Sequence, residues 1–138
     1  MACFTASISL KTSGKDDIHD ITQQVQEQVS KSKIREGIAC VFVVGSTAAV
    51  TTVEYEPGLV KDLQEAMDRL YPKDIDYEHH LRWGDGNGHS HVRASMLGPS
   101  IVIPTRGGEL MLGTWQQIVL LELDNKARTR EIVVQVIG

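Results

Sequence analysis

Residues 100–137, SIVIPTRGGELMLGTWQQIVLLELDNKARTREIVVQVI, decide the fold. Ser100 to Thr105 and Glu109 to Leu112 are short apolar runs around Arg106-Gly107-Gly108, a hairpin signal. Trp115 to Leu123 reads as a long strand, Asp124-Asn125-Lys126 as a turn, and Arg130 to Ile137 as a closing strand with alternating apolar positions. Strands at such short spacing, with few helices between them, argue for an α+β fold. Its sheet or sandwich should be mainly antiparallel, with two or three short helices.

The rest of the chain fits that frame. Phe4, Ala6, Ile8 and Leu10 alternate with polar residues across residues 3–11, as in a half-buried strand. Residues 17–20 extend a second short strand. Ile21, Val25 and Val29 recur every fourth position, which predicts a helix over residues 21–33, capped by Asp20 or Thr22 and stopped near Gly37. The valine-rich run Ile38–Val44 reads as a buried strand, and Ala49–Tyr55 as another after the Gly45-Ser46-Thr47 break. A second helix is predicted over 58–70, ended by Tyr71-Pro72. No internal repeat or linker interrupts the sequence, so residues 1–138 are expected to form one domain.

Composition narrows the functional classes. The formal charge is -4 and no lysine- or arginine-rich tract stands out, so the footprint of a nucleic-acid binder is absent. No apolar run is long enough to span a bilayer, and the N-terminus lacks the pattern of a signal peptide. A cytoplasmic protein with no membrane partner is expected. The two cysteines, Cys3 and Cys40, lie in strand-like runs and are expected to be buried, reduced thiols.

Four of the five histidines fall in YEHHLRWGDGNGHSHVRAS, residues 77–95: His79, His80, His89 and His91. On a strand, His89 and His91 would share a face and could grip one metal ion. On a helix they point roughly 200° apart. Asn87 or Gly88 can open a helix and Leu97-Gly98-Pro99 can close one, so a helix over about 88–97 is favoured, with His89, Val92, Arg93 and Met96 as one stripe. One imidazole from that helix and one from the segment before it could act as acid or base, or bind a divalent ion with a carboxylate. The Gly84-Asp85-Gly86-Asn87-Gly88 turn could converge backbone N–H groups on an anion. No Gly-x-Ser-x-Gly elbow is present, which argues against a serine hydrolase. Glu54 fits a polar pocket or the solvent face equally, and Trp115 fits the core or a subunit interface.

Gly45-Ser46-Thr47-Ala48-Ala49, Glu54, Tyr77-Glu78-His79, Gly88-His89-Ser90-His91-Val92-Arg93-Ala94-Ser95-Met96-Leu97-Gly98 and Leu112-Gly113-Thr114-Trp115-Gln116, in this order and spacing, resemble the YjbQ-like family. Its members are often labelled secondary thiamine-phosphate synthase. The resemblance implies a compact α+β sandwich assembled as a homotrimer, with histidine-lined pockets near subunit boundaries. It also implies a weak capacity to join an aminopyrimidine pyrophosphate to a thiazole phosphate. His79 and His91 fall on the family's histidine positions and Glu54 on its acidic one, which makes these three the candidate catalytic residues. Trp115-Gln116 and Arg128 match its C-terminal pattern. Where many members carry a histidine just before the hydroxyl pair, this chain has Gly45.

Three functional expectations follow. The first is an enzyme acting on a small phosphorylated metabolite, bound by Ser46, Thr47, Asp85, Asn87, Gly88 and Arg93, with Mg²⁺ assisting the leaving group. The second is a protein that binds a divalent metal such as Zn²⁺ through His79, His89 and His91. The third is a non-catalytic trimer that binds a small molecule.

Overall fold

The computed structural model describes Met1–Gly138. It is an α+β fold in which every strand pairing is antiparallel. The strands are β1 (Cys3–Lys11), β2 (Ile18–Asp20), β3 (Gly37–Val44), β4 (Ala48–Val53), β5 (Ser100–Arg106), β6 (Glu109–Leu110), β7 (Gln117–Glu122) and β8 (Thr129–Ile137). The helices are α1 (Thr22–Ser32), α2 (Pro57–Leu70), α3 (His79–Trp83) and α4 (Gly88–Leu97). Four helices stand where two or three were expected; the additional one, α3, is a five-residue turn. No helix is long and apolar enough to cross a membrane.

The strands form two sheets, a five-stranded one in the order β1-β8-β3-β5-β6 and a three-stranded one in the order β2-β7-β4. The main core lies between them. Ala39, Val41 and Val43 of β3 and Ile132, Val134 and Val136 of β8 meet Ala48 and Val50 of β4 and Ile118 and Leu120 of β7, and α1 closes the layer with Val25 and Val29. The opposite face of the small sheet is covered as well. Ala49, Val119, Leu121 and Leu123 pack against Met67 of α2 and Ala94 of α4. Strand β7 is therefore buried on both faces, which is why Ile118–Leu121 is an unbroken apolar run.

Strand β3 looks the same in sequence but is packed differently. Ala39, Val41 and Val43 are buried, while Ile38, Phe42 and Val44 project from the outer face of the large sheet and remain exposed, beside Val102 of β5. An unbroken apolar run does not distinguish a strand buried on both faces from one with an unpartnered apolar face. Cys3 and Cys40 are likewise not buried: both are free thiols, one exposed and one half-buried.

Local chemistry explains the element ends. Asp20 Oδ1 accepts from the backbone N–H and hydroxyl of Thr22 and so anchors the start of α1. That helix ends at Lys33, in the left-handed conformation and at the expected boundary, without help from Gly37. Gly37 instead opens β3, where a Cβ would lie 2.0 Å from the carbonyl oxygen of Ile137. In α2, Pro57 occupies the first turn and Glu56 accepts from the N–H groups of Gly58 and Leu59, which lowers its carboxyl pKa.

Candidate functional site

Helix α4 runs over the expected residues, with Gly98 beyond its last turn. It lies against β4 with Ala94 in the second core. Its buried stripe is His89, Ser90, Arg93 and Ala94; Val92 and Met96, expected beside His89, are exposed because the helix is rotated to cover the small sheet.

This rotation separates the two histidines of the His-x-His pair. His89 is almost fully buried, with its Nδ1 lacking any partner and its Nε2 3.3 Å from Ser90 Oγ. Burial, and then the positive charges of Arg93 and Lys73, push its pKa below the ordinary histidine range, so it is neutral at physiological pH. His91, half-buried on another face, lines a surface cleft of about 220 Å³ with Gly45, Ser46, Ala48, Ser95 and Pro99. Ser95 Oγ donates to the His91 carbonyl, one turn back, as the helical spacing implies.

The segment before α4 supplies the second imidazole. The His79 ring lies 4.6 Å from that of His91, centroid to centroid, with a 39° tilt. His79 Nδ1 makes no hydrogen bond and is 3.6 Å from a carboxylate oxygen of Asp85. Its neighbour His80 is engaged structurally. His80 Nε2 accepts the backbone N–H of Gly88, and its ring meets Tyr77 edge-on. Gly88 is required at this junction, because a Cβ there would lie 2.5 Å from Tyr77 Cβ. Gly84 and Gly86 adopt the positive φ angles that the turn needs.

The remaining candidates divide by location. In the turn, Asp85 faces His79, and the Asn87 amide, oriented for hydrogen bonding, donates to the Asp85 carboxylate. Arg93 is wholly enclosed: Nε and Nη2 donate to the Tyr71 carbonyl, Nη2 also to Asp68, and Asp16 lies 3.5 Å from Nη1. It ties α4 to the end of α2. Ser46 is exposed in the cleft, whereas Thr47 is buried, donating to Asp124 and accepting from Arg130 Nη2. Glu54 lies beyond the far end of β4, about 20 Å along the strand from Ala48 at the usual rise per residue. It lines a separate acidic cleft with Asp20, Glu56, Gln117 and the exposed Trp115. Trp115 is thus not a core residue of this chain. Within the chain, the structure joins His79, His91, Asp85 and Ser46 around one surface and does not bring Glu54 or His89 to it. No group of three or more His, Cys, Asp or Glu side chains is arranged to hold a metal ion, because His89 faces the interior and His91 the cleft.

Sequence reading missed the polar network beneath the cleft. Glu122 and Arg130 form a buried ion pair in which Arg130 Nε and Nη2 donate to the two carboxylate oxygens at 2.9 and 2.5 Å. Thr12 Oγ1 donates to Glu122, and Arg130 Nη2 also reaches the Thr47 carbonyl. Burial would raise the Asp124 pKa, but hydrogen bonds from Arg128, Thr47 and the Asn125 N–H outweigh it and lower it. The available signal was a charged residue, Glu122, inside an otherwise apolar strand, matched two positions from Asp124 by Arg128 and Arg130 across the next turn.

Comparison with known proteins places this chain in a family. The model described as UPF0047 protein YjbQ-like matches residues 6–138. A UPF0047 protein of Archaeoglobus fulgidus is 39% identical over 128 residues, 93% of this chain and 97% of that protein. UPF0047 protein YugU of Bacillus subtilis is 31% identical over 96% of this chain and 98% of its own length. Among solved structures, a YbjQ-like protein of unknown function from Sulfolobus solfataricus P2 superposes with a TM-score of 0.95 at 37% identity, covering 99% of this chain and 98% of that one. A hypothetical protein from Aeropyrum pernix K1 gives 0.91 at 36% identity, covering 98% of both chains. By sequence along nearly its whole length, and by fold, this chain belongs to the YjbQ-like UPF0047 family.

Proposed function

We propose that the His79–His91 cleft is an acid–base site acting on a small phosphorylated metabolite, with thiamine-phosphate formation as its reaction. The observation that carries this reading is the approach of the two rings to 4.6 Å at the edge of a cleft, with the Asp85 carboxylate beside His79. An imidazole takes up and returns a proton near neutral pH. A carboxylate beside one ring can set which of its nitrogens faces the other group. In the proposed reaction the thiazole nitrogen of a thiazole phosphate forms a bond to the methylene carbon of an aminopyrimidine pyrophosphate. The carbon–oxygen bond to pyrophosphate breaks, and its electron pair leaves with pyrophosphate. His91, which faces the cleft, donates a proton to that leaving group and regains one from solvent by way of His79, beside Asp85. The choice of these substrates rests on the resemblance in sequence.

The test is incubation of the purified protein with both phosphorylated precursors and Mg²⁺, with thiamine phosphate followed by chromatography. No product above background, or equal product from His91→Ala, overturns the assignment.

One feature favours a second reading, a divalent-metal site: His79 Nδ1 is buried without a hydrogen-bond partner beside a carboxylate. His79 and Asp85 are of the right chemical types for Zn²⁺, whose tetrahedral shell would need further ligands from solvent or a neighbouring chain. Elemental analysis of protein purified without chelator, compared with His79→Ala, decides it; metal absent from both overturns this reading.

A homotrimer is proposed with either reading. Ile38, Phe42, Val44 and Val102 leave an apolar patch on the outer face of the large sheet. Covering such side chains is worth about 1.5–3 kcal/mol each when complete.

A further inference from the structure

Behind Gly45, in the cleft that His91 lines, stands a cation that is not itself one of the lining residues. Gly45 and Ser46 form one wall. Gly45 has φ +138°, and a Cβ built on it would meet a single atom within 4 Å, Arg130 Nη1 at 2.9 Å. The missing side chain is therefore a window, and a guanidinium nitrogen stands directly behind it.

That nitrogen is free. Arg130 directs Nε and Nη2 to Glu122 and Thr47, and Nη1 donates no hydrogen bond. The residue is only 6% exposed, yet Nη1 is not among the sealed polar atoms without a partner, so its small exposed surface includes this atom. The contrast with Arg93 is informative, since Arg93 Nη1 also lacks a hydrogen bond but is sealed. Arg130 is held rigidly by its carboxylate partner, which fixes the direction of the free N–H groups. A fixed, partly dehydrated guanidinium edge is a strong donor to phosphate oxygens. The exposed Ser46 hydroxyl on the same wall makes no hydrogen bond within the chain and can add another donor. By contrast, the glycine turn before α4 is less suited to an anion: the Gly88 N–H already donates to His80, and Asp85 puts a carboxylate there.

We infer that Arg130, reached through the gap at Gly45, is the group that recognises the phosphate of a phosphate ester or pyrophosphate bound in the His91 cleft. This inference rests on the acid–base reading only for the identity of the substrate; phosphate recognition stands or falls by itself. It makes Gly45 a specificity-determining position, because any side chain there would stand between the anion and Arg130.

The experiment measures binding of inorganic phosphate and, separately, of pyrophosphate by calorimetry at low ionic strength. It compares the parent protein with Gly45→Ala and with the double variant Glu122→Gln/Arg130→Met, in which no buried charge is left alone. Loss of a charge-assisted hydrogen bond predicts affinity weaker by roughly tenfold or more in both variants. The parent failing to bind either anion saturably, or folded variants that bind as tightly as the parent, overturns the inference. If neither variant folds, the guanidinium nitrogen resonances of the unmodified protein decide: a shift at Arg130 and not at Arg93 on adding pyrophosphate supports it, and no shift at Arg130 overturns it. Pyrophosphate binding without product formation would count against the transferase reading alone. Product formation with unchanged KM in the double variant would count against Arg130 alone.

Discussion

The imidazole rings of His79 and His91 lie 4.6 Å apart although the whole Asp85–Gly88 turn separates them in the chain. The contact exists because the turn reverses the path at Gly84 and Gly86, both with positive φ, and because His80 clamps the first N–H of α4. Neighbouring histidines thus differ in setting: His80 accepts a backbone N–H and His89 is buried, whereas the rings of His79 and His91 meet each other.

If His79 and His91 transfer protons, replacing either with alanine lowers the rate of thiamine-phosphate formation by roughly 10²–10⁴. Asp85→Asn causes a smaller loss, since it removes an orienting charge and leaves both rings. Steady-state kinetics on the three variants checks this order; an Asp85→Asn loss larger than that of His91→Ala would reverse the roles.

Glu122→Ala leaves Arg130 buried without its partner and should destabilise the fold by about 3–5 kcal/mol. The double variant Glu122→Gln/Arg130→Met should lose less, because no charge is stranded. Urea unfolding of the two proteins provides the comparison, and equal losses would mean that packing rather than charge dominates.

Gly88→Ala should cost about 1–3 kcal/mol through overpacking. The added methyl meets Tyr77, whose ring cannot readily yield because its hydroxyl donates to the Pro72 carbonyl at 2.6 Å. Thermal melting measures the loss, and an unchanged melting temperature would show that the α3–α4 junction is loose.

Asp17 gives a pH signature. Burial alone would raise its pKa, but hydrogen bonds from His19 and from Ser13 outweigh that and hold it at about 2, below the ordinary 3.8. Because the folded pKa is the lower one, the stabilisation is complete above the unfolded value and is lost as pH falls from about 4 through about 2. After allowance for solvent screening it amounts to ~1–2 kcal/mol. Asp124 is depressed in the same sense and adds to the slope. Comparing acid unfolding of the parent with that of Asp17→Asn isolates the share of Asp17; identical acid profiles would refute it.

Phe42→Lys or Val102→Lys should yield monomers if the outer sheet face is the trimer contact, since a buried unpaired ammonium is costly. Light scattering after gel filtration reads the mass. Trimers persisting in both variants would move the contact elsewhere.

Much of the fold is legible in local patterns. The spacing of strands after Ser100 gave the antiparallel sheet, and the four-residue recurrence of Ile21, Val25 and Val29 gave α1. Leu97-Gly98-Pro99 placed the end of α4. These features survive because they depend on backbone geometry within a few residues. What failed was the assignment of faces. The apolar runs of β3 and β7 look alike, yet one is covered on a single side and the other on both.

The sequence by itself determined the family, the α+β class and the histidine-rich segment from which the candidate site is drawn, because residue type and short-range period are written directly in the chain. Only the tertiary structure decided which imidazoles meet, that Glu54 lies at the other end of β4, and that Arg130 stands behind Gly45. Those outcomes depend on the rotation of α4 against the small sheet and on the packing of β8 behind β4, and each brings together side chains from distant segments. Local periodicity carries no information about such pairings, since burial is settled by the whole core at once.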